Sequence, residues 1–122
     1  MKFYFIGEEP SPLALKMKVT WTDGRLAAKQ LFDALAFCEI DPQECGFVNL
    51  FKKGKVQQRV LQELKRSPVP LVAMGKKVQR VLSRHQIDHL PLIHPAARGH
   101  IRKKENYFQH VKEVLIHNGI SV

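Results

Sequence analysis

Several residues that could do chemistry follow directly after short apolar runs in this sequence. They are Gly7-Glu8-Glu9, Asn49, Gly75 and His94. Imidazole and carboxylate groups both take part in proton transfer, so His94, Glu8 and Glu9 are candidates for acid–base chemistry. Taken singly, each residue also has a structural explanation, such as a hydrogen-bonded histidine, a solvated loop or an amide that binds backbone. A functional role therefore depends on whether the fold brings them together.

The stretch around His94 joins an apolar run to a group of cations. Residues 90–93 are apolar, and Pro95 is expected to end a strand because it has no N–H to donate. Arg98, Arg102 and Lys103 follow within a few residues. These cations could hold a polyanion against the imidazole.

Hydrophobic periodicity predicts strands that alternate with helices. Strands are predicted at 3–6, 46–51, 69–74 and 89–93. Helices are predicted from Gly24 to Cys38, with Thr22 or Asp23 as N-cap, and over about 56–64, 78–82 and 103–117. Pro10 and Pro12 are expected to prevent regular structure between 8 and 12, and the residues up to Trp21 show no clear pattern.

This alternation predicts an α/β fold with three layers, in which a four-stranded, mostly parallel sheet is flanked by helices. The crossover connections should be right-handed. Residues 1–122 are expected to form a single domain. In such a sheet the carboxyl ends of the strands share one edge, where ligands bind. The polar segments after the strands should therefore converge.

Positive charge is concentrated in the second part of the chain. Residues 1–51 hold 5 Lys or Arg and 7 Asp or Glu, whereas residues 52–122 hold 15 and 4. This asymmetry favours contact with nucleic acid or another anionic surface. A charged surface that only aids solubility is the alternative.

The two cysteines, Cys38 and Cys45, form no metal motif and are expected to be reduced structural thiols. No metal or other cofactor is expected. No apolar stretch is long enough to span a bilayer, and the apolar run near the N-terminus is too short for a signal peptide. A cytoplasmic location is expected, with nucleoid association if the source is bacterial, and no membrane partner.

Four segments together resemble the uracil-DNA glycosylase superfamily, in the same order along about the whole chain. Gly7-Glu8-Glu9-Pro10-Ser11 is similar to its first motif, and Val48-Asn49-Leu50 to the strand that carries its base-reading asparagine. The segment 72–78 resembles the strand, glycine and helix that come next. Ile93-His94-Pro95-Ala96-Ala97 with Arg98 resembles the second motif, in the form found in the iron–sulfur branch. The chain lacks the four cysteines of that branch, so no iron–sulfur cluster is expected.

The resemblance implies a sheet of strand order 2-1-3-4 and a function in base excision repair of DNA. The enzyme would hydrolyse the N-glycosidic bond of deoxyuridine, or of a related damaged base, after flipping the base out of single- or double-stranded DNA. Gly7, Pro10, Trp21 and Asn49 would bind the substrate, with Asn49 on the pyrimidine edge and Trp21 stacked on the ring. His94 would donate a hydrogen bond to the leaving base, and either Glu8 or Glu9 would position water. The phosphates would contact Lys52, Lys53, Lys76, Lys77, Arg98, Arg102 and Lys103.

Two other functions are compatible with the sequence. One is a DNA-binding protein of the same fold that has weak catalysis or none. The other is a small α/β protein that binds a nucleotide or another anion, since Gly7 and Gly75 precede helices and helix N-termini attract anions.

Overall fold

The centre of the molecule is a sheet of four parallel strands. The computed structural model describes residues 2–10, 12–18, 21, 27–96 and 103–117. The strands are β1 (Tyr4–Gly7), β2 (Gly46–Asn49), β5 (Leu71–Met74) and β6 (Leu90–Leu92), and their order in the sheet is β2-β1-β5-β6. All three pairings are parallel. The predicted α/β fold is thus confirmed, with the order 2-1-3-4 once the sheet strands are numbered by themselves.

The helices that accompany this sheet are short. They are α1 (Pro12–Met17), α2 (Ala27–Phe37), α3 (Gln58–Lys65), α4 (Lys76–Arg84) and α5 (Lys104–Lys112). A 3-10 turn covers Pro42–Glu44, and a π-helical turn, Glu113–His117, continues α5. The predicted N-caps Thr22 and Asp23 lie outside the described residues. Among the described residues, no helix combines the length and apolar character that crossing a membrane requires.

Hydrophobic clusters cover both faces of the sheet. Successive side chains of a strand point to opposite faces, so one strand can contribute to both clusters. Phe5 and Val72 pack in a cluster with side chains of α2 and α5, including Leu31 and Val111. The neighbouring strand residues Ile6 and Ala73 belong to a second cluster, which side chains of α3 and α4 complete: Val60, Leu61, Leu64, Val78, Val81 and Leu82. This arrangement gives the three expected layers.

The prediction of one strand over 46–51 was wrong, since β2 ends at Asn49 and a β-hairpin follows. Its strands are β3 (Phe51–Lys52) and β4 (Lys55–Val56), which pair antiparallel. The turn residues Lys53 and Gly54 have φ values of 50° and 76°. Two positive φ angles are those of the primed turn that matches the twist of a two-residue hairpin.

Residues 8–10 form no helix or strand, as expected, but the expectation was wrong at Pro12, which begins α1. Proline is well suited to the first helical position, where its fixed φ is compatible with the helix and the missing N–H has no partner to lose. The last turn of α1 and the residue after it carry Leu15, Lys16, Met17 and Lys18, which are all exposed.

Candidate functional site at the carboxyl edge of the sheet

The segments that follow the parallel strands converge at one edge of the sheet. Gly7 of β1 lies opposite Asn49 of β2 in the strand register. The Gly7 carbonyl accepts a hydrogen bond from the Leu50 N–H over 2.9 Å, and the Glu8 carbonyl accepts one from the Phe51 N–H over 2.8 Å. The loop after β1 is therefore fastened to the residues that lead into the hairpin.

Trp21 completes this edge from outside the sheet. Its indole Nε1–H donates to Oδ1 of Asn49 over 2.8 Å. A Cβ atom added to Gly7 would lie 2.7 Å from that oxygen and 2.9 Å from Cζ2 of Trp21. Both distances are shorter than van der Waals contact, so the approach of indole and amide requires glycine at position 7.

The indole contacts two further rings. Its centroid lies 6.2 Å from that of His94, with the planes tilted by 60°. On the strand β2, Phe47 lies nearly parallel to the indole, with centroids 6.4 Å apart. These separations lie in the range of favourable aromatic pairs. Asn49, Trp21 and His94 thus form one contiguous cluster.

His94 is held as a neutral hydrogen-bond donor. The Ala96 N–H donates to its Nδ1 over 3.0 Å, so the proton of the neutral ring lies on Nε2. Burial lowers the pKa of His94, and the charge of Glu8 opposes that shift. Gly75 has a φ of 94°, and a Cβ there would be 3.6 Å from the Cβ of His94, which is ordinary contact.

The two adjacent carboxylates have different partners. Glu8 forms an exposed ion pair with Lys77, with 3.2 Å between Oε1 and Nζ. Lys77 Nζ also lies 4.5 Å from the ring centroid of Phe51. Oε1 of Glu9 instead accepts the N–H of Gly54 at the hairpin turn over 2.8 Å. The charge of Glu8 acts on the pKa of His94, whereas the carboxylate of Glu9 is bound to the hairpin turn, so the two acids have different surroundings.

The basic residues named from the sequence surround this edge in part. Lys52 and Lys53 are exposed on the hairpin, Lys76 and Lys77 form the first turn of α4, and Lys103 is the N-cap of α5. Pro10 is partly buried between β1 and α1. Arg98 and Arg102 lie outside the described residues.

Two contributors to the site were not identified from the sequence. Gln57 donates from Nε2 to the Asn49 carbonyl over 3.0 Å, and its N–H donates to the Leu50 carbonyl. Phe47 supports the indole. Phe47 could have been suspected from its place in an apolar strand, whereas no local pattern distinguishes Gln57 from the glutamine beside it.

A surface groove opens at the opposite, amino edge of the sheet, away from His94. It is lined by Tyr4, Arg59, Gln62, Glu63, Arg66, Ser67 and Pro68. Among the described residues, no group of three or more His, Cys, Asp or Glu side chains is arranged to hold a metal ion. In comparisons with known proteins, no protein-family model and no curated protein matches the chain.

Proposed function

We propose that this protein is a DNA glycosylase, similar to the uracil-DNA glycosylase superfamily, that hydrolyses the N-glycosidic bond of deoxyuridine or a related damaged base. The observation that carries the proposal is the cluster of Asn49, Trp21 and His94, with Glu8 beside it. These residues come from four separate segments. Asn49 and Trp21 lie against Gly7, which has no side chain, His94 lies against the indole, and the charge of Glu8 acts on the pKa of His94.

The Asn49 amide is suited to reading a pyrimidine edge. The indole nitrogen is only a donor, so it fixes Oδ1 as the amide atom that faces Trp21 and prevents a flip. A carbonyl oxygen has two lone pairs, so Oδ1 can accept a second hydrogen bond while Nδ2 donates. Uracil offers an N–H donor beside a carbonyl acceptor, whereas cytosine offers an acceptor beside an amino donor. The fixed amide therefore favours uracil.

His94 and Glu8 supply the groups for bond cleavage. The C–N bond breaks as its electron pair moves onto the base, and the Nε2–H of His94 stabilises the negative charge that develops there. A donor held in place beforehand contributes about 10²–10³-fold to such a reaction. Glu8 stabilises the positive charge on the sugar and positions the water whose oxygen bonds to the anomeric carbon, as carboxylates do in other glycoside hydrolysis. The proton that this water loses neutralises the base anion. The proposed substrate is cytoplasmic DNA, bound through the lysines around the edge.

A DNA-binding protein with little catalysis is the second candidate, and one contact favours it. The imidazole already lies against the indole, so a base can stack between the two rings only if this ring contact opens. A protein that kept this edge closed would still bind DNA through its lysines.

One assay separates the two functions. Single- and double-stranded oligonucleotides with one deoxyuridine are incubated with the protein, and abasic sites are then cleaved with alkali. A glycosylase gives strand scission that His94→Ala and Asn49→Ala abolish. His85→Ala, which changes an exposed histidine at the end of α4, is the matched control and should retain scission.

Salt-sensitive binding without scission would support the binding protein. The absence of both signals would leave the nucleotide- or anion-binding function as the better explanation.

A further inference from the structure

The residue before His94 has both of its backbone polar groups bound by side chains of α5. The Ile93 N–H donates to Nε2 of His110 over 2.9 Å. The Tyr107 hydroxyl donates to the Ile93 carbonyl over 2.9 Å. Ile93 lies one residue beyond β6, so these side chains replace sheet partners at the point where the chain leaves the sheet.

Tyr107 and His110 are placed for this contact by the helix itself. They are three residues apart, so they lie on the same face of α5, and their ring centroids are 6.1 Å apart. Tyr107 is only 1% exposed, and a buried hydroxyl is costly unless it forms a hydrogen bond. Nε2 of His110 accepts a hydrogen bond, so that nitrogen carries no proton. Burial lowers the pKa of His110, which is consistent with a neutral ring.

The other side of the same segment is bound by α4. The Leu92 carbonyl accepts hydrogen bonds from the Gly75 N–H over 2.8 Å and from Nε2 of Gln79 over 3.1 Å. After the imidazole, the Ala96 N–H binds Nδ1 of His94. Backbone on both sides of His94 is thus fixed by specific hydrogen bonds.

We propose that Tyr107 and His110 are positioning residues for His94. They hold the Ile93 backbone so that the imidazole keeps one location and one orientation at the carboxyl edge. The structural part of this inference stands without any activity, and its catalytic part rests on the proposed glycosylase function. A displacement of about 1 Å at a reacting group can cost about 10²-fold in rate.

The structural part is tested by amide hydrogen exchange at Ile93 and by the ¹⁵N NMR spectrum of the His94 ring. Tyr107→Phe removes only a hydroxyl, and His110→Phe keeps a ring but removes the acceptor. Both should speed exchange at Ile93 and alter the His94 signals. His110→Gln offers an amide oxygen as acceptor and should restore protection in part. Gln109→Ala, at an exposed position on α5, is the matched control and should change neither.

The catalytic part is tested with the deoxyuridine oligonucleotides. Tyr107→Phe and His110→Phe should lower kcat by about 10- to 100-fold with KM within about twofold, because the substrate contacts remain. His110→Gln should recover part of kcat.

Each failure has a separate meaning. If Ile93 stays protected in both Phe variants, the inference is overturned. If exchange increases but kcat is unchanged, the contacts are structural only, and the positioning role is overturned. If the wild-type protein releases no base, the proposed function fails, and the exchange and ring spectra alone decide whether α5 holds His94 in place.

Discussion

The indole N–H of Trp21 donates to Oδ1 of Asn49 over 2.8 Å, and this bond sets the direction in which the amide can be read. The amide oxygen and nitrogen are similar in size, and an unrestrained amide can turn over to suit either an acceptor or a donor. A donor-only partner removes that freedom. Selectivity between bases would then depend on Trp21 as much as on Asn49.

Trp21→Phe is therefore expected to relax base selectivity. Phenylalanine keeps an aromatic face but cannot donate, so the Asn49 amide becomes free to flip. Release of cytosine relative to uracil should rise by about tenfold, since a matched hydrogen-bonding edge contributes about 1–3 kcal/mol of discrimination. Single-turnover release from otherwise identical oligonucleotides measures the ratio. An unchanged ratio with a lower overall rate would show that Trp21 acts only by stacking.

Gly7→Ala should disrupt the site and destabilise the fold. The new Cβ would overlap the Asn49 oxygen at 2.7 Å and the indole at 2.9 Å, and overpacking of this kind costs about 1–3 kcal/mol. Urea denaturation should show the loss of stability, together with loss of base release. Gly54 provides the contrast, because a Cβ there meets nothing within 4 Å and only its φ of +76° is restrictive. Gly54→Asn should be nearly neutral, since asparagine tolerates that conformation. Equal effects of the two substitutions would contradict this explanation.

Substitutions of Glu8 and Glu9 should have different effects, the first on kcat and the second on DNA binding. Glu8→Gln removes the charge beside His94 and should lower kcat by about 10²-fold, in the range of general acid–base contributions. Glu9→Ala releases the hairpin turn and should weaken DNA binding while kcat stays within a few-fold. Steady-state kinetics with binding measured in parallel decides the assignment. A larger loss of kcat in Glu9→Ala than in Glu8→Gln would assign the water-positioning role to Glu9.

Stability should fall on mild acidification. In the folded protein, burial lowers the pKa of His94 and of His110 below the ordinary value of 6.5. At pH values between 6.5 and the lowered pKa values, the unfolded chain therefore binds more protons than the folded protein. The stability that the two neutral histidines contribute is therefore fully present above about pH 6.5, and the free energy of unfolding decreases as the pH falls below that value. Urea midpoints measured from about pH 7.5 to about pH 5 give the slope.

His110→Gln removes one of these two titrating groups, so the free energy of unfolding should decrease less steeply below about pH 6.5. A variant that keeps the wild-type slope would show that His110 does not contribute to it. His85→Ala serves as a control at an exposed histidine.

The convergence of Gly7, Asn49 and His94 could be predicted because it depends only on chain order. Alternating strands and helices with short connections make a parallel sheet, and the carboxyl ends of parallel strands meet at one edge. The contact of Trp21 with Asn49 could not be predicted in this way, because the sequence before Trp21 shows no hydrophobic periodicity that would place it.

Two other features could not be predicted from the sequence: the hairpin after β2 and the contacts of Ile93 with α5. The apolar run 46–51 is compatible with one strand, and Lys53-Gly54 is a weaker turn signal than Asn-Gly. The hydrogen bonds that Tyr107 donates to Ile93 and that His110 accepts from it join residues far apart in the sequence. Local sequence gives no indication of such pairs.

Trp21 is the only tryptophan in the chain, and it contacts Asn49, Phe47 and His94. The intrinsic fluorescence of the protein above the tyrosine band therefore arises from a single location, the candidate site itself. Any ligand that separates the indole from the imidazole or competes for the amide oxygen must change the surroundings of that fluorophore. The protein thus contains its own optical reporter, and titration with oligonucleotides or free bases can detect occupancy without a label and without turnover.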